Sequence, residues 1–594
     1  MSRIFAIVSK NNEVSNKIFE GLKKLDFYPY DSVGIATFNG NSIHIKKNKG
    51  KIEEIFSEED LKNLSGKIGV GHLRWATHGA PAEFNSHPLT DCYNNIAVVQ
   101  NGVIGNFLQL KDELIQSNHK FVSKTDTEVI AHHLEKISGY NINYFNQITE
   151  VLKKLEGCFS LVIISKNLKN YLIAFSKGLP LYIGLGKEEN YVSSEPAGFI
   201  KQTYKFLKLE EDEIALVGGD SYKIFSINGL LELNKEAVES TWNEDEAKKL
   251  GYEHMVLREI MEQPYTFKTA MHAQKPYLEL ISEYIDKANR NFIVASYSSY
   301  NAAIAASYLF SKLANITVYP SHASEFIEQF GSSIDISTTI LFSSPSGRDK
   351  EILSVVEFAR MRACTILAMS NEAYCPLTGM SRTYIVQNAG APLTKYSIKD
   401  FTSQLIIYLN LALTLAKKRG KISQDEIDVI YDEIKELPSL ASVVLKNTFN
   451  KIREIAKIIA NKNFIFVLSR GINYATALEG KTKLNEIAKI NAIAYPAGES
   501  KHGPISLIEK DVPVIFIAPP DETRKLILGN VQEMAARDAL VISFGVEGDR
   551  ELSSMSKIFI EMPRMHNFIT PIIYTLPLQL LSYFLAKEKN INVY

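Results

Sequence analysis

The feature that most constrains this chain is a duplicated pattern in its second half. Asn291-Phe292-Ile293-Val294-Ala295-Ser296-Tyr297-Ser298-Ser299-Tyr300-Asn301-Ala302 recurs in outline as Asn463-Phe464-Ile465-Phe466-Val467-Leu468-Ser469-Arg470-Gly471-Ile472-Asn473-Tyr474. Each copy reads as a buried strand, a small-residue loop and a helix. At similar spacing, Thr339 to Ser344 is echoed by Val514 to Ala518, and Thr365 to Ala368 by Leu540 to Ser543. Two copies of a strand-helix alternation imply two parallel-sheet domains of similar fold.

In open parallel sheets a ligand sits beyond the carboxyl ends of the strands, where backbone N–H groups open a helix. Two such loops are rich in hydroxyls, Ser296 to Ser299 and Ser343-Ser344-Pro345-Ser346-Gly347. Either alone is explained equally well by helix capping. Paired in one domain, they favour a phosphate, which collects side-chain and backbone donors together with the positive end of a helix dipole.

The first 225 residues read differently. Strand-like runs at Ile4 to Val8, Val33 to Thr37, Ile96 to Gln100, Leu161 to Ile164 and Ile214 to Val217 alternate with short helices, which predicts an α+β layered domain. A charged, turn-prone stretch around Glu239 to Lys249 reads as a linker, followed by a helical segment, Tyr252 to Glu262, that stops at Pro264. A chain of 594 residues exceeds one hydrophobic core, so three domains are the starting expectation. With 66 Lys+Arg against 67 Asp+Glu there is no global field to draw nucleic acid or an anionic membrane to the surface. The four cysteines, Cys92, Cys158, Cys364 and Cys375, are too scattered for a disulfide framework or a CxxC metal site, so no metal is expected. No signal peptide and no apolar run of about 18 residues is read, and the expectation is a cytoplasmic protein.

Several motifs fall in a definite order along nearly the whole chain. The first domain carries Tyr30-Asp31-Ser32-Val33-Gly34, Gly71-His72-Leu73-Arg74-Trp75-Ala76-Thr77-His78-Gly79, Gln100-Asn101-Gly102 and Thr125-Asp126-Thr127-Glu128-Val129-Ile130-Ala131-His132, similar to class II glutaminase signatures. The second half carries Glu479-Gly480-Lys481-Thr482-Lys483-Leu484-Asn485-Glu486 and Ala497-Gly498-Glu499-Ser500-Lys501-His502-Gly503-Pro504. In this order the motifs resemble those of the glucosamine-6-phosphate synthase family, the second-half set its isomerase half. The resemblance implies an N-terminal nucleophile-type glutaminase sandwich (1–225), a linker and connecting helix (226–281) and two α/β sugar-isomerase (SIS) domains with parallel sheets (282–421 and 453–594).

The roles follow from the same resemblance. Arg74 and Asp126 grip the two ends of zwitterionic glutamine, with Trp75, Thr77 and His78 beside them and Trp75 gating an ammonia path. Ser2 is the nucleophile, and Asn101 with the Gly102 N–H forms the oxyanion hole. Ser298, Ser299, Ser344, Ser346, Ser397 and Lys399 hold the sugar phosphate. Glu486 moves a proton between the first two sugar carbons, His502 opens the ring from across a dimer interface, and Lys483 and Glu479 assist. Fructose 6-phosphate and glutamine are the implied ligands, glucosamine 6-phosphate the product, a homodimer the assembly, and no cofactor is required. Read without the family, Lys483 and Glu486 are an i,i+3 pair that a solvated salt bridge would explain.

The chain departs from the pattern at definite places. Ser2 stands where the family has cysteine, Arg3 where it has glycine, and Tyr28-Pro29 where it has Arg-Gly. Asp349 falls where a hydroxyl meets the phosphate, with Arg348 beside it as a possible counter-charge. Lys587 and Lys589 lie in a helical stretch near Tyr594, and no residue is matched to the family's Schiff-base lysine. These departures keep open a catalytically reduced sugar-phosphate-binding or regulatory paralogue, or a glutamine-independent phosphosugar isomerase or deaminase.

Overall fold

The structure, a computed structural model, describes residues 2–137, 144–273 and 275–593. The chain forms two compact units, Met1–Glu253 and His254–Tyr594.

In the first unit two antiparallel sheets lie face to face. One runs in the order Ile43–Lys49, Ser32–Phe38, Ile68–Arg74, Arg3–Ser9, Glu189–Ser193, Leu181–Leu185, Lys205–Leu209 and Val238–Glu239. The other runs Leu89–Thr90, Ile96–Ile104, Gly157–Ser165, Tyr171–Lys177, Glu213–Gly218, Tyr222–Ser226 and Glu232–Leu233. All five expected strands occur within these sheets. Strand periodicity sorts the core. Ile4, Ala6 and Val8 point between the sheets with Val70, Ala97 and Val99, whereas Phe5 and Ile7 point outward onto Ile18 and Leu22 of the Ser15–Lys24 helix. On the far side of the second sheet, Val98, Leu161 and Ile163 pack under the helices Phe107–Gln116, Glu128–Ile137 and Tyr144–Lys153. The result is a four-layer αββα sandwich.

The stretch expected to be a linker is structured. Asn243 caps the Glu244–Lys248 helix, and Ala247 and Trp242 pack on the first unit's outer core. The connecting helix begins at Met255 rather than Tyr252 and ends at Met261, and Pro264 opens the next helix, Gln263–Ala270, where its missing N–H costs nothing.

The second unit holds two five-stranded parallel sheets. The first is ordered Tyr319–His322, Arg290–Ala295, Thr338–Ser343, Thr365–Ser370, Thr383–Val386, and the second Asn491–Pro496, Phe464–Ser469, Pro513–Ile517, Leu540–Val546, Ile558–Met562. Both read 2-1-3-4-5 in order of appearance. The sequence repeat is therefore a repeat of topology. A 36-residue helix, Gln424–Ile459, fills the interval between the copies and carries Pro438 in its interior. No described helix is long and apolar enough to cross a membrane.

Candidate active sites

In the first unit, strand parity gathers the expected glutamine-binding residues at one end of the interlayer. Arg3 pairs with Leu73, so Ser2 and Arg74 follow next in register on neighbouring strands. Asn101 shares the parity of Ala97 and Val99 on the facing sheet. The Ser2 hydroxyl oxygen accepts a hydrogen bond from the Trp75 N–H at 3.0 Å. The Arg74 guanidinium donates to the carbonyls of His78 and of Gly79 (2.8 Å) and lies 3.8 Å from Asp31, so it folds the Trp75–His78 loop around itself. Asp126 accepts from the Ile104 N–H at 2.9 Å and stands 3.8 Å from His78, whose imidazole burial holds below the ordinary histidine range. Thr127 donates to the Gln100 side chain, and His72 bonds the Gln100 carbonyl at 2.9 Å, which fixes the strand that presents Asn101. Gly102 has φ of 106°, and a Cβ there would lie 2.2 Å from the Cys158 carbonyl, so the position admits only glycine. A cavity of about 520 Å³ opens at the opposite, Ser9 end of the Arg3–Ser9 strand, away from these residues.

In the second unit, the strand order places a topological switch between Arg290–Ala295 and Thr338–Ser343. The two serine loops leave the sheet at these strand ends. The helix Tyr474–Glu486, from the other copy, presents Glu479, Lys483 and Glu486 on one face at i, i+4 and i+7. Lys483 is fully buried. Its ammonium contacts Glu486 at 2.6 Å and Glu479 at 3.2 Å, and donates to Ser298 Oγ at 3.1 Å and to the Tyr396 carbonyl. Ser298 in turn donates to Glu479 at 3.1 Å, and Asn301 holds the other Glu479 oxygen at 2.9 Å. Burial pulls the Lys483 ammonium down, but the two carboxylates outweigh it and the net direction is upward. Burial lifts the Glu486 carboxyl above its ordinary range against the pull of Lys483, and Glu479 adds to the rise. A lysine held charged beside a carboxylate of raised proton affinity is equipped to relay a proton and to stabilise the enolate-like charge that the relay creates.

Comparison with known proteins covers nearly the whole chain. Residues 72–201 match a family model described as a glutamine amidotransferase domain, and residues 284–414 and 458–587 each match the SIS domain. The glutamine–fructose-6-phosphate aminotransferase (isomerizing) of Thermococcus kodakarensis is 36% identical over 570 residues, covering 96% of this chain and 94% of that protein. The enzyme of the same name from Pyrococcus horikoshii is 37% identical over 580 residues, covering 98% and 96%. The chain belongs to the glutamine–fructose-6-phosphate aminotransferase (isomerizing) family. A solved C-terminal domain of the glucosamine-fructose-6-phosphate aminotransferase from Francisella tularensis is 31% identical, covers 58% of this chain and 99% of that one, and superposes with a TM-score of 0.55.

For a member of the aminotransferase family, several details were not visible as sequence. Ser298 meets Glu479 and Lys483, and Gln404 donates to Ser299 at 2.9 Å. Ser344 caps its own turn, accepting from the Gly347 N–H at 3.2 Å, and Ser346 accepts from the Arg348 N–H at 3.3 Å. Asp349 is the N-cap of the Lys350–Met361 helix, where its Oδ1 accepts from the N–H groups of Glu351 (2.9 Å) and Ile352 (3.4 Å). Arg348 does not turn toward it but pairs with Glu372 at 2.7 Å. Lys399 is buried and paired with Glu262 at 2.6 Å, while Ser397 takes a left-handed φ of 47° just before the Ile398–Arg419 helix. His502 ends the Glu499–Lys501 turn, exposed, with no side-chain partner among the described residues. Lys587 lies in the Thr570–Glu588 helix, and Lys589 follows as its cap, donating to the Lys489 carbonyl.

Two residues that sequence reasoning left out complete the picture. Asn301 ties Glu479 to Thr482, bonding the latter at 3.1 Å, and Tyr297, left-handed at φ of 58°, places its phenol against Glu486. Only the left-handed backbone gives a hint of Tyr297, since non-glycine residues are rarely held there without reason.

Proposed function

We propose that this protein makes glucosamine 6-phosphate from fructose 6-phosphate, taking the nitrogen from glutamine. The balance is glutamine plus water to glutamate plus ammonia, then ammonia plus fructose 6-phosphate to glucosamine 6-phosphate plus water. In the first step the Ser2 hydroxyl attacks the carboxamide carbon once Met1 is removed, and the freed amine takes the proton. Asn101 and the Gly102 N–H receive the charge that develops on the carbonyl oxygen. In the second, Glu486 carries the proton from C1 to C2 while Lys483 stabilises the intervening charge. The Ser299 and Ser344 hydroxyls, with Ser346 and Ser397, bind the phosphate end, while Ser298, whose one proton goes to Glu479, orders that carboxylate instead.

The observation that carries this reading is the buried contact of Lys483 with Glu479, Glu486 and Ser298, because a solvated ion pair has no reason to lose its water at the mouth of a switch point. Exposure of His502 supports its delivery to a second copy of the chain, and a homodimer is the assembly this reading takes. The four cysteines are unpaired, as a reducing cytoplasm keeps them. Incubation of the mature protein with glutamine and fructose 6-phosphate should yield glutamate and glucosamine 6-phosphate in equal amounts by mass spectrometry. Ser2→Ala should stop the glutamate while ammonia still supports the sugar product, and Glu486→Gln should stop the sugar product with either nitrogen source. Product formation by Glu486→Gln at the parental rate would overturn the proposal.

A further inference from the structure

Cys92, His119, His132 and Glu135 come from three separate segments of the first unit. Cys92 follows the Leu89–Thr90 strand, His119 follows the Phe107–Gln116 helix, and His132 and Glu135 lie one turn apart on the Glu128–Ile137 helix. Their donor atoms nevertheless all lie within 4.8 Å of one another. Cys92 Sγ is 3.6 Å from His132 Nδ1, and Glu135 Oε2 is 3.0 Å from both His132 Nδ1 and His119 Nδ1.

We propose that these four side chains form a site for one Zn²⁺-class ion. Zinc bonds are about 2.3 Å to sulfur and about 2.0–2.1 Å to nitrogen. A tetrahedral angle then sets a thiolate and an imidazole nitrogen about 3.6 Å apart, as Cys92 and His132 stand. A thiolate and two imidazoles with one carboxylate select a borderline first-row divalent ion over Ca²⁺ or Mg²⁺, which take oxygen.

A second feature supports a metal over a simple hydrogen-bonded knot. His132 Nε2 lies 3.5 Å from Glu128 Oε1, and Glu128 is itself fixed by the N–H groups of Val122 and Ser123, each at 2.7 Å. A carboxylate behind the far nitrogen of a ligating histidine is the usual support that fixes its tautomer and raises its basicity. His132 is buried while Cys92 is exposed, so the ion has a path from solvent and the thiolate closes the outer vertex.

With all four positions taken by protein, the site is structural. It pins the Glu128–Ile137 helix, which starts two residues after Asp126 and one after Thr127. The test uses the full chain, stripped with chelator and titrated with Co²⁺ and then Zn²⁺. One equivalent of Co²⁺ should give a thiolate-to-cobalt charge-transfer band and the intense visible bands of a tetrahedral ion, and Zn²⁺ should displace it and raise the Tm. Cys92→Ser, at an exposed position, should melt like the metal-free parent in chelator yet lose the charge-transfer band. Glu128→Gln should weaken Zn²⁺ by about 10–100-fold. Failure to bind one equivalent, or a charge-transfer band that persists in Cys92→Ser, overturns the assignment and leaves only a hydrogen-bonded cluster.

Discussion

The Ser2 hydroxyl accepts the Trp75 N–H, so its proton remains free for transfer to a base while one lone pair is occupied. A hydroxyl must lose that proton during attack, whereas a thiol with a pKa near 8.5 is partly ionised before it begins. Ser2→Cys should therefore raise glutamate release by about tenfold or more, measured as initial rate, with the glutamine KM nearly unchanged because Arg74 and Asp126 are untouched. The neighbouring Arg3 behaves unlike a bulky intrusion. Its guanidinium lies 3.6 Å from the centre of the Tyr28 ring, pairs with Glu195 at 3.1 Å and donates to the Ser2 carbonyl at 2.9 Å, all buried. Two departures that looked independent along the chain, Arg3 and Tyr28, meet in space. Glu195→Gln should cost about 3–5 kcal/mol, since it removes the carboxylate from a buried ion pair, and adding Arg3→Met should recover part of that loss. Denaturant unfolding followed by tryptophan fluorescence reads this directly, because Trp75 and Trp242 both belong to the first unit. The sequence carried the identity of Arg3 and Tyr28 but not their contact, which depends on a register set by the sheet.

In the proposed function the helix Tyr474–Glu486 and the Ser344 turn are the elements that carry the sugar site. The turn has little latitude: Gly347 has φ of 61°, and a Cβ there would sit 2.1 Å from Cys375 Sγ. Gly347→Ala should displace the Ser344 loop and raise the KM for fructose 6-phosphate about tenfold, equivalent to about 1.4 kcal/mol of binding, with a smaller change in kcat. Behind the site, the Met255–Met261 helix buries Glu259, which accepts from the Leu393 N–H and the Thr394 hydroxyl and lies 3.8 Å from Lys399. Burial outweighs Lys399 and pushes this carboxyl up to about 7 from an ordinary 4.5. In the unfolded chain the group ionises near its ordinary value, while in the fold it keeps its proton. The stabilisation is therefore whole below the unfolded pKa and is lost as pH rises to the folded one, about 3 kcal/mol across that window. Glu259→Gln should flatten the decline in Tm between about pH 5 and 7, as read by circular dichroism of the helices.

At the scale of the molecule, legibility followed the range of the interactions. The duplicated strands were readable because each buried apolar run is local, and both sheets share one order. The Gln424–Ile459 helix lies between the two repeats and outside their pattern, and Pro438 reads as a break in sequence although the helix runs through it. The Cys92 cluster leaves no close cysteine spacing in the sequence because its four side chains converge only through tertiary packing. Each unit has its own cores: the sandwich interior and its two outer layers in Met1–Glu253, and separate clusters around Phe342 and Phe516 in His254–Tyr594. Among the described residues no sheet takes strands from both units. A polypeptide of residues 254–594 should accordingly fold by itself, with a cooperative thermal transition by circular dichroism. Ser298, Glu479, Lys483 and Glu486 all lie inside it, so it should make glucosamine 6-phosphate from fructose 6-phosphate and ammonium salts. Glutamine should not support that reaction, because Ser2, Arg74 and Asp126 are on the other piece. Were the half-length protein to use glutamine, nitrogen release could not belong to the first unit. Were it to aggregate without a folding transition, its cores would need the first unit to close.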